Sequence, residues 1–332
     1  MRYRTFGRTG WQVSEIGFGA WAIGGSWGPQ SDEDSIAALH RALDLGVTFI
    51  DTAQGYGNGR SERLIGQVLR QRGQRAGAGV VKVATKIPPM EGNWPPFPDD
   101  DVAQRYPADY LRQGVETSLR QLDAERLDLV QLHTWTRAWN RNPAPLETLR
   151  ALRKEGKIAA IGISTPEHDQ NSLIGLMREG WLDAVQVIYN IFEQEPAAEF
   201  LPAAQEHGVG VIVRVVFDEG ALTGKFTPQT TFAEEDFRHA YFRGARLPTV
   251  VEKVEAVRRT VREVTGEERP NMPDVALRFA LRHPAVSTVI PGIRTVAQAE
   301  ANSAASDGGP LDERLYGALK AHNWRRGFWY GG

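Results

Sequence analysis

Cysteine is absent from this chain of 332 residues, which removes disulfides, thiolate nucleophiles and Cys-ligated zinc from its chemistry. No stretch approaches the roughly 18 apolar residues of a transmembrane helix, and the opening MRYRTFGRTG lacks the apolar core of a signal peptide. A cytoplasmic location is the expectation. Charge of one sign is missing too: 39 Lys and Arg face 41 Asp and Glu, a formal net of -2. With no basic field, nucleic acid and membrane surfaces are poor partners, and a small molecule is the better guess. The seven histidines, at 40, 133, 168, 207, 239, 283 and 322, never fall within one helical turn of each other. No H-x-x-x-H template exists, and no metal cofactor is expected.

What is present is a repeating pattern. Tyr3 to Phe6 and Gln12 to Ile16 flank Arg8-Thr9-Gly10 and predict a short N-terminal hairpin. Ser31 caps a helix with Ile36, Leu39 and Leu43 on one face, and Gly46 ends it before the strand Val47 to Ile50. Val80 to Ala84 reads as a buried strand, followed by the helical stripe Leu111, Val115, Leu119, Leu122 and the strand Leu127 to Leu132. The stripe Leu146, Leu149, Leu152 precedes Ile158 to Ile163. Ala184 to Ile188, Gly210 to Val215 and Val286 to Ile290 continue the series. With Ile16 to Ala20 the candidate strands number about eight, which favours a (β/α)8 TIM barrel over a doubly wound open sheet. A hydrophobic content of 41% supports a single domain over residues 1–332, since barrels often exceed the usual domain length. Long loops are expected over the C-terminal face at 88–107 and 218–247, with the tail from His322 packed there too.

Three local signals mislead. Gly17 to Ala22 matches G-x-G-x-x-A, yet Gly24, Gly25, Gly28 and Pro29 stand where the phosphate-binding helix should run. Gly220 to Lys225 resembles a P-loop with short spacing and Phe226 in place of Ser or Thr. His322 to Tyr330 mixes bases with aromatics like a single-strand binder, but packing over the barrel mouth suits one short stretch of a neutral protein better.

Strand ends carry the chemistry of barrels. Asp51 ends the second strand, with Tyr56 five positions on in a glycine-flanked turn; Lys86 ends the third and His133 the fourth. Singly each has an ordinary reading: Asp51 a turn cap, Tyr56 a rim residue, Lys86 a snorkelling cation, His133 a hydrogen-bonded core histidine. Together they set an acid, a phenol, an ammonium and an imidazole at one mouth. Crowding of this kind perturbs titration and marks a candidate site. A Schiff base at Lys86, as in an aldolase, stays open.

In this order and setting the four residues resemble the Asp, Tyr, Lys, His tetrad of the aldo-keto reductase family. The likeness extends over Gly17 to Gly25, Gly162-Ile-Ser-Thr165, Gln186-Val-Ile-Tyr-Asn190, Gly220 to Lys225 and Ile290-Pro-Gly-Ile-Arg294 with Gln298 and Asn302. It implies a carbonyl oxidoreductase that binds NADPH, or NADH, across the barrel mouth, with Tyr56 as the acid, Lys86 lowering its pKa, Asp51 aiming Lys86 and His133 orienting the carbonyl. The family also includes channel-associated barrels, so a nicotinamide-binding regulatory subunit is a further reading. The resemblance implies that Ser164, Thr165 and Gln186 hold the carboxamide, that Trp21 lies near the nicotinamide ribose, and that Ala20, Val215, Phe217, Gly220, Leu222 and Lys225 also touch the cofactor. Arg214 stands where many relatives stack an aromatic residue on the nicotinamide, and a guanidinium there would favour the reduced ring; its alternative role is a salt bridge with Asp218 or Glu219. Gly292 and Gln298 replace the Lys and Arg of many NADPH-specific relatives, leaving Arg294 as the cation for a 2′-phosphate. Trp94, Trp135 and Trp324, with Trp139 and Trp329, are the candidates to wall an aromatic substrate pocket.

Overall fold

The computed structural model describes residues 1–326 and 328. An antiparallel hairpin of β1 (Tyr3–Phe6) and β2 (Trp11–Ser14) precedes the sheet, because Gly10 takes the left-handed φ that its turn requires. Eight parallel strands follow: β3 (Phe18–Gly19), β4 (Phe49–Asp51), β5 (Lys82–Ile87), β6 (Leu127–Leu132), β7 (Ile158–Ser164), β8 (Ala184–Ile188), β9 (Gly210–Arg214) and β10 (Val286–Val289), each paired with the next in chain order. Parallel bridges from Ile16 to Val289 and from Gly19 to Gly292 join the first strand to the last. The sheet is thus a (β/α)8 barrel rather than an open sheet.

Burial on both faces explains the strands' continuous apolar runs. Inside the lower barrel, Phe49, Ala84, Leu129, Ala160, Ala184 and Ile212 form one packed layer, and the hairpin's Phe6 closes it from below at 5.4 Å from the Phe49 ring. Outside, the helix Asp32–Asp44 begins at Ser31, whose hydroxyl accepts from the Asp34 amide at 3.0 Å, and buries Ala38, Leu39 and Ala42. The helices Ala108–Leu122 and Ala144–Lys154 bury the leucine stripes read from the sequence.

One strand is displaced from its expected position. Val80 is 71% exposed, and β5 begins only at Lys82, which pairs with Phe49. The Asp128 carboxylate accepts from the amides of Gly77 and Val83 at 2.8 and 3.1 Å, tying off the turn beyond Val80. Register against the neighbouring strands, not local hydrophobicity, sets where β5 starts. Lys86 therefore lies within the strand.

The loop at 88–107 carries the short helix Val102–Arg105, and the loop after β9 carries Phe237–Tyr241. In the tail, Trp324 packs edge-on to Phe192 at 5.9 Å and Arg326 pairs with Asp218 at 2.7 Å. Gly327, Trp329 and Tyr330 lie outside the described residues.

Closure of the barrel depends on close backbone approach at Gly19, whose amide donates to the Pro291 carbonyl at 2.9 Å and where an added Cβ would meet the Ile290 oxygen at 2.6 Å. Gly19→Ala should cost about 1–3 kcal/mol in denaturant unfolding. An unchanged midpoint would contradict this seam.

Candidate active site

Four side chains meet at the C-terminal mouth because three adjacent strands end there. Asp51 is the last residue of β4, Lys86 the fifth of β5, and His133 follows β6 directly, its amide donating to the Ile87 carbonyl at 3.0 Å. Tyr56 enters from the turn after β4. That turn lies flat on the loop after β3: Gly57 has φ +62, and a side-chain carbon on it would overlap the Gly24 carbonyl. Glycine is required at both faces of this contact.

Lys86 is fully buried, and its ammonium donates to Asp51 Oδ2 at 2.6 Å, to the Thr52 carbonyl at 2.8 Å and to Tyr56 Oη at 3.2 Å. The other carboxylate oxygen of Asp51 accepts from Gln186 Nε2 at 2.7 Å and from Gln131 Nε2 at 3.4 Å. The His133 ring meets the Tyr56 ring edge-on at 5.8 Å, with Trp94 on its other side at 5.3 Å.

Burial sets the electrostatics. It pushes the Lys86 ammonium down, against the opposing pull of Asp51, and holds the His133 imidazole well below its ordinary range, with Lys86 and Arg214 adding to the effect. It raises the Tyr56 phenol well above its ordinary value, reinforced by the Asp51 carboxylate and opposed by Arg214. The phenol is thus raised and not lowered as expected: burial and the Asp51 carboxylate outweigh the pull of Arg214, and Tyr56 keeps its proton in the neutral range.

Above these residues opens a cavity of about 880 Å³, within the range of pockets that enclose small ligands. Asp51, Tyr56 and His133 form part of its wall, with Lys86 behind them. Of the cofactor candidates, Trp21, Ser164, Gln186, Arg214, Val215, Phe217, Gly220, Lys225, Gly292, Arg294, Gln298 and Asn302 line it. Ala20, Thr165 and Leu222 do not: the Ala20 carbonyl accepts from Ser61 Oγ, the Thr165 hydroxyl turns to Gln170, and Leu222 is core. Trp94 lines the cavity but Trp135 and Trp324 do not. Trp135 is fully buried with its indole N–H donating to Asn140 at 2.8 Å, Trp139 stacks edge-on beside it, and Trp324 packs with the tail.

Two cations of the wall have partners that spacing does not show. Arg294, in the cavity wall, donates to the Trp27 carbonyl at 2.7 Å and to Gln30 Oε1 at 2.8 Å, and so holds the loop that carries them. Arg214 pairs with Glu167 at 3.0 Å, not with Asp218 or Glu219, and donates to the Thr165 carbonyl at 3.1 Å. Sequence reasoning passed over Glu167, Trp27 and Arg238, all in the wall. Glu167 follows the end of β7 by three residues, so the strand-end rule that selected Ser164 could have found it. Arg238 arrives from the long loop: Phe237 packs on Trp21 at 4.6 Å, and Arg238 lies over Trp27 while paired with Asp236. Nothing in the local pattern marks that crossing.

The wall suits a large polar ligand. Among the described residues, Trp27 Nε1, Glu167 Oε2, Arg214 Nε and Glu219 Oε1 are buried there with no hydrogen-bond partner, and such atoms in a native fold call for one. Lys225 is exposed at the rim and no ion pair holds it among the described residues. Backbone strain gathers alongside, with Val215, Asp218 and Glu219 all at positive φ of 49 to 56°; Asn190 Nδ2 holds the Val215 carbonyl at 2.8 Å.

Residues 15–323 match the model of the aldo/keto reductase family. The chain belongs to that family. It is 32% identical over 308 residues to Aldo-keto reductase YhdN of Bacillus subtilis (strain 168), covering 91% of this chain and 88% of that protein. Among solved structures, it is similar to the glycerol dehydrogenase of Gluconobacter oxydans at TM-score 0.74 and 25% identity, covering 96% and 95% of the two chains. An aldo-keto reductase from Bacillus halodurans in its holo form has the same fold at TM-score 0.74, with 24% identity over 97% of this chain and 96% of that one. This aldo/keto reductase is therefore an oxidoreductase-family barrel, and among its described residues no helix is long and apolar enough to cross a membrane.

Glu219 gives the wall a pH signature. Burial and then the neighbouring Asp218 push its carboxyl up to about 8, against an ordinary value of 4.5. The folded protein keeps this proton while the unfolded chain releases it, so stability falls as pH rises from about 4.5 to about 8. Glu219→Gln should gain in melting temperature over the wild type progressively between pH 5 and pH 8. A gap that stays constant over that span would contradict the assignment.

Proposed function

We propose that this aldo/keto reductase reduces an aldehyde or ketone with a nicotinamide dinucleotide, using Tyr56 as the proton donor. The supporting observation is the chain of contacts from Asp51 through the Lys86 ammonium to the phenol oxygen at 3.2 Å, placed on the cavity wall beside His133.

The residues of the wall fit such a cofactor. Ser164 and Gln186 face the cavity where a carboxamide needs partners, and Gln186, its nitrogen committed to Asp51, presents a carbonyl oxygen as acceptor. Lys225 supplies positive charge for phosphates. Reduced nicotinamide, when bound, supplies hydride to the carbonyl carbon.

The chain's own residues then manage the oxygen. As negative charge develops there, the Tyr56 Oη–H bond breaks and its proton moves to the substrate oxygen, leaving a phenolate. Lys86 already donates to that phenol oxygen, and its interaction strengthens as Oη gains charge. An alkoxide is a far stronger base than a phenolate, so a phenol of raised pKa still donates to it. His133, kept uncharged by burial, donates one ring N–H to the same oxygen and fixes the carbonyl's angle. Trp21 and Trp94 flank this spot and exclude water from the developing charge.

A Schiff base at Lys86 is disfavoured by the same geometry. Its nitrogen is fully buried, donates to three oxygens and lies behind the wall rather than on it.

A panel of aldehydes and ketones with NADPH and NADH, followed at the dihydronicotinamide absorbance, tests class and cofactor together. Tyr56→Phe should lower turnover by about 10²–10⁴-fold while leaving dinucleotide binding intact. Near-normal turnover in that variant would refute the assignment of the acid.

A further inference from the structure

Hydride transfer changes the charge of the ring that supplies it, from a neutral dihydropyridine to a cationic pyridinium. The donor carbon must come within about 3.5 Å of the carbonyl, so on the reading above the ring lies beside Tyr56 and His133. Fixed charges on that part of the wall therefore act differently on the two forms of the cofactor.

Most of those charges are already balanced. Lys86 is matched by Asp51 at 2.6 Å. Burial keeps His133 uncharged and holds the Glu219 proton up to about pH 8. Arg214 remains: it reaches the cavity from the end of β9, and its field lowers the affinity of Tyr56, Lys86 and His133 for protons. A guanidinium felt at all three groups is felt at the reacting carbonyl and at a ring beside it. Its counter-charge is Glu167, 3.0 Å away and also in the wall, with a side chain only 3% exposed. Among the described residues, Arg214 Nε and Glu167 Oε2 are both buried without hydrogen-bond partners, so the pair is held by its mutual contact and the Thr165 carbonyl.

We propose that Glu167 is a positioning and charge-balancing residue, which aims Arg214 and offsets its charge so that the cavity holds oxidised as well as reduced nicotinamide. The inference rests on the nicotinamide reading of the site. An unbalanced Arg214 repels the cationic ring; an unbalanced Glu167 attracts it. Removing either partner therefore moves the preference between the two forms in opposite directions, which loss of packing does not do.

The test is a titration of wild type, Glu167→Gln, Arg214→Gln and the double variant with NADP⁺, NADPH, NAD⁺ and NADH at pH 7. Binding is followed by quenching of tryptophan fluorescence, since Trp21 and Trp94 line the cavity. The ratio of the oxidised to the reduced Kd should rise on the order of tenfold in Glu167→Gln and fall on the order of tenfold in Arg214→Gln, each equivalent to about 30 mV in the bound couple. The double variant should return close to the wild-type ratio. Equal weakening of both forms, or shifts of the same sign in the two single variants, would overturn the proposal. Should Glu167→Gln fail to fold, Arg214→Gln decides alone: a ratio that does not fall overturns it. Wild-type protein that binds none of the four dinucleotides would instead overturn the cofactor reading itself.

Discussion

A fully buried ammonium is costly, and the mouth of this barrel is organised around one. Taking Lys86 out of water carries a penalty of several kcal/mol that only close, well-aimed oxygen partners offset. Asp51, the Thr52 carbonyl and Tyr56 Oη are those partners. Asp51 in turn is fixed by Gln186 and Gln131, from strands across the barrel interior. The phenol's place therefore follows from strand register, through β4, β5, β6 and β8, as well as from the turn that carries Tyr56. That turn contributes a flat glycine contact with the loop after β3, which lets the ring approach the cation at all.

The same desolvation that makes the ion pair necessary gives the neighbouring groups their protonation states. A neutral imidazole and a phenol that keeps its proton are what a proton-donating site needs before the substrate's charge develops. The balance extends outward to Arg214 and Glu167, a largely buried pair in the cavity wall. Each pair is internally balanced, so a change at one partner leaves the other as an uncompensated charge in the wall.

The sequence made much of this legible because barrels place chemistry at strand ends and apolar periodicity locates strands. Leu127–Leu132 and Ala184–Ile188 are strands with the boundaries read from their residues alone. Val80 was misleading since an apolar run reports burial tendency, whereas the start of β5 is decided by partners distant in sequence. The tryptophans divided for a related reason. Trp94 reaches the cavity, but Trp135 and Trp139 find their partners inside the adjacent loop and Trp324 on the tail's own contact surface. Arg294 and Arg214 show the limit most plainly: a cation's partner cannot be read from spacing when it comes from Gln30 or Glu167.

If the buried cation is what makes Tyr56 a usable acid, its removal must reach turnover without reaching the cofactor. The direct measurement is single-turnover carbonyl reduction by Lys86→Met, alongside its dinucleotide Kd. The account predicts a loss of at least about a hundredfold in the chemical step with the Kd little changed. Hydride transfer at close to the wild-type rate in that variant would contradict it.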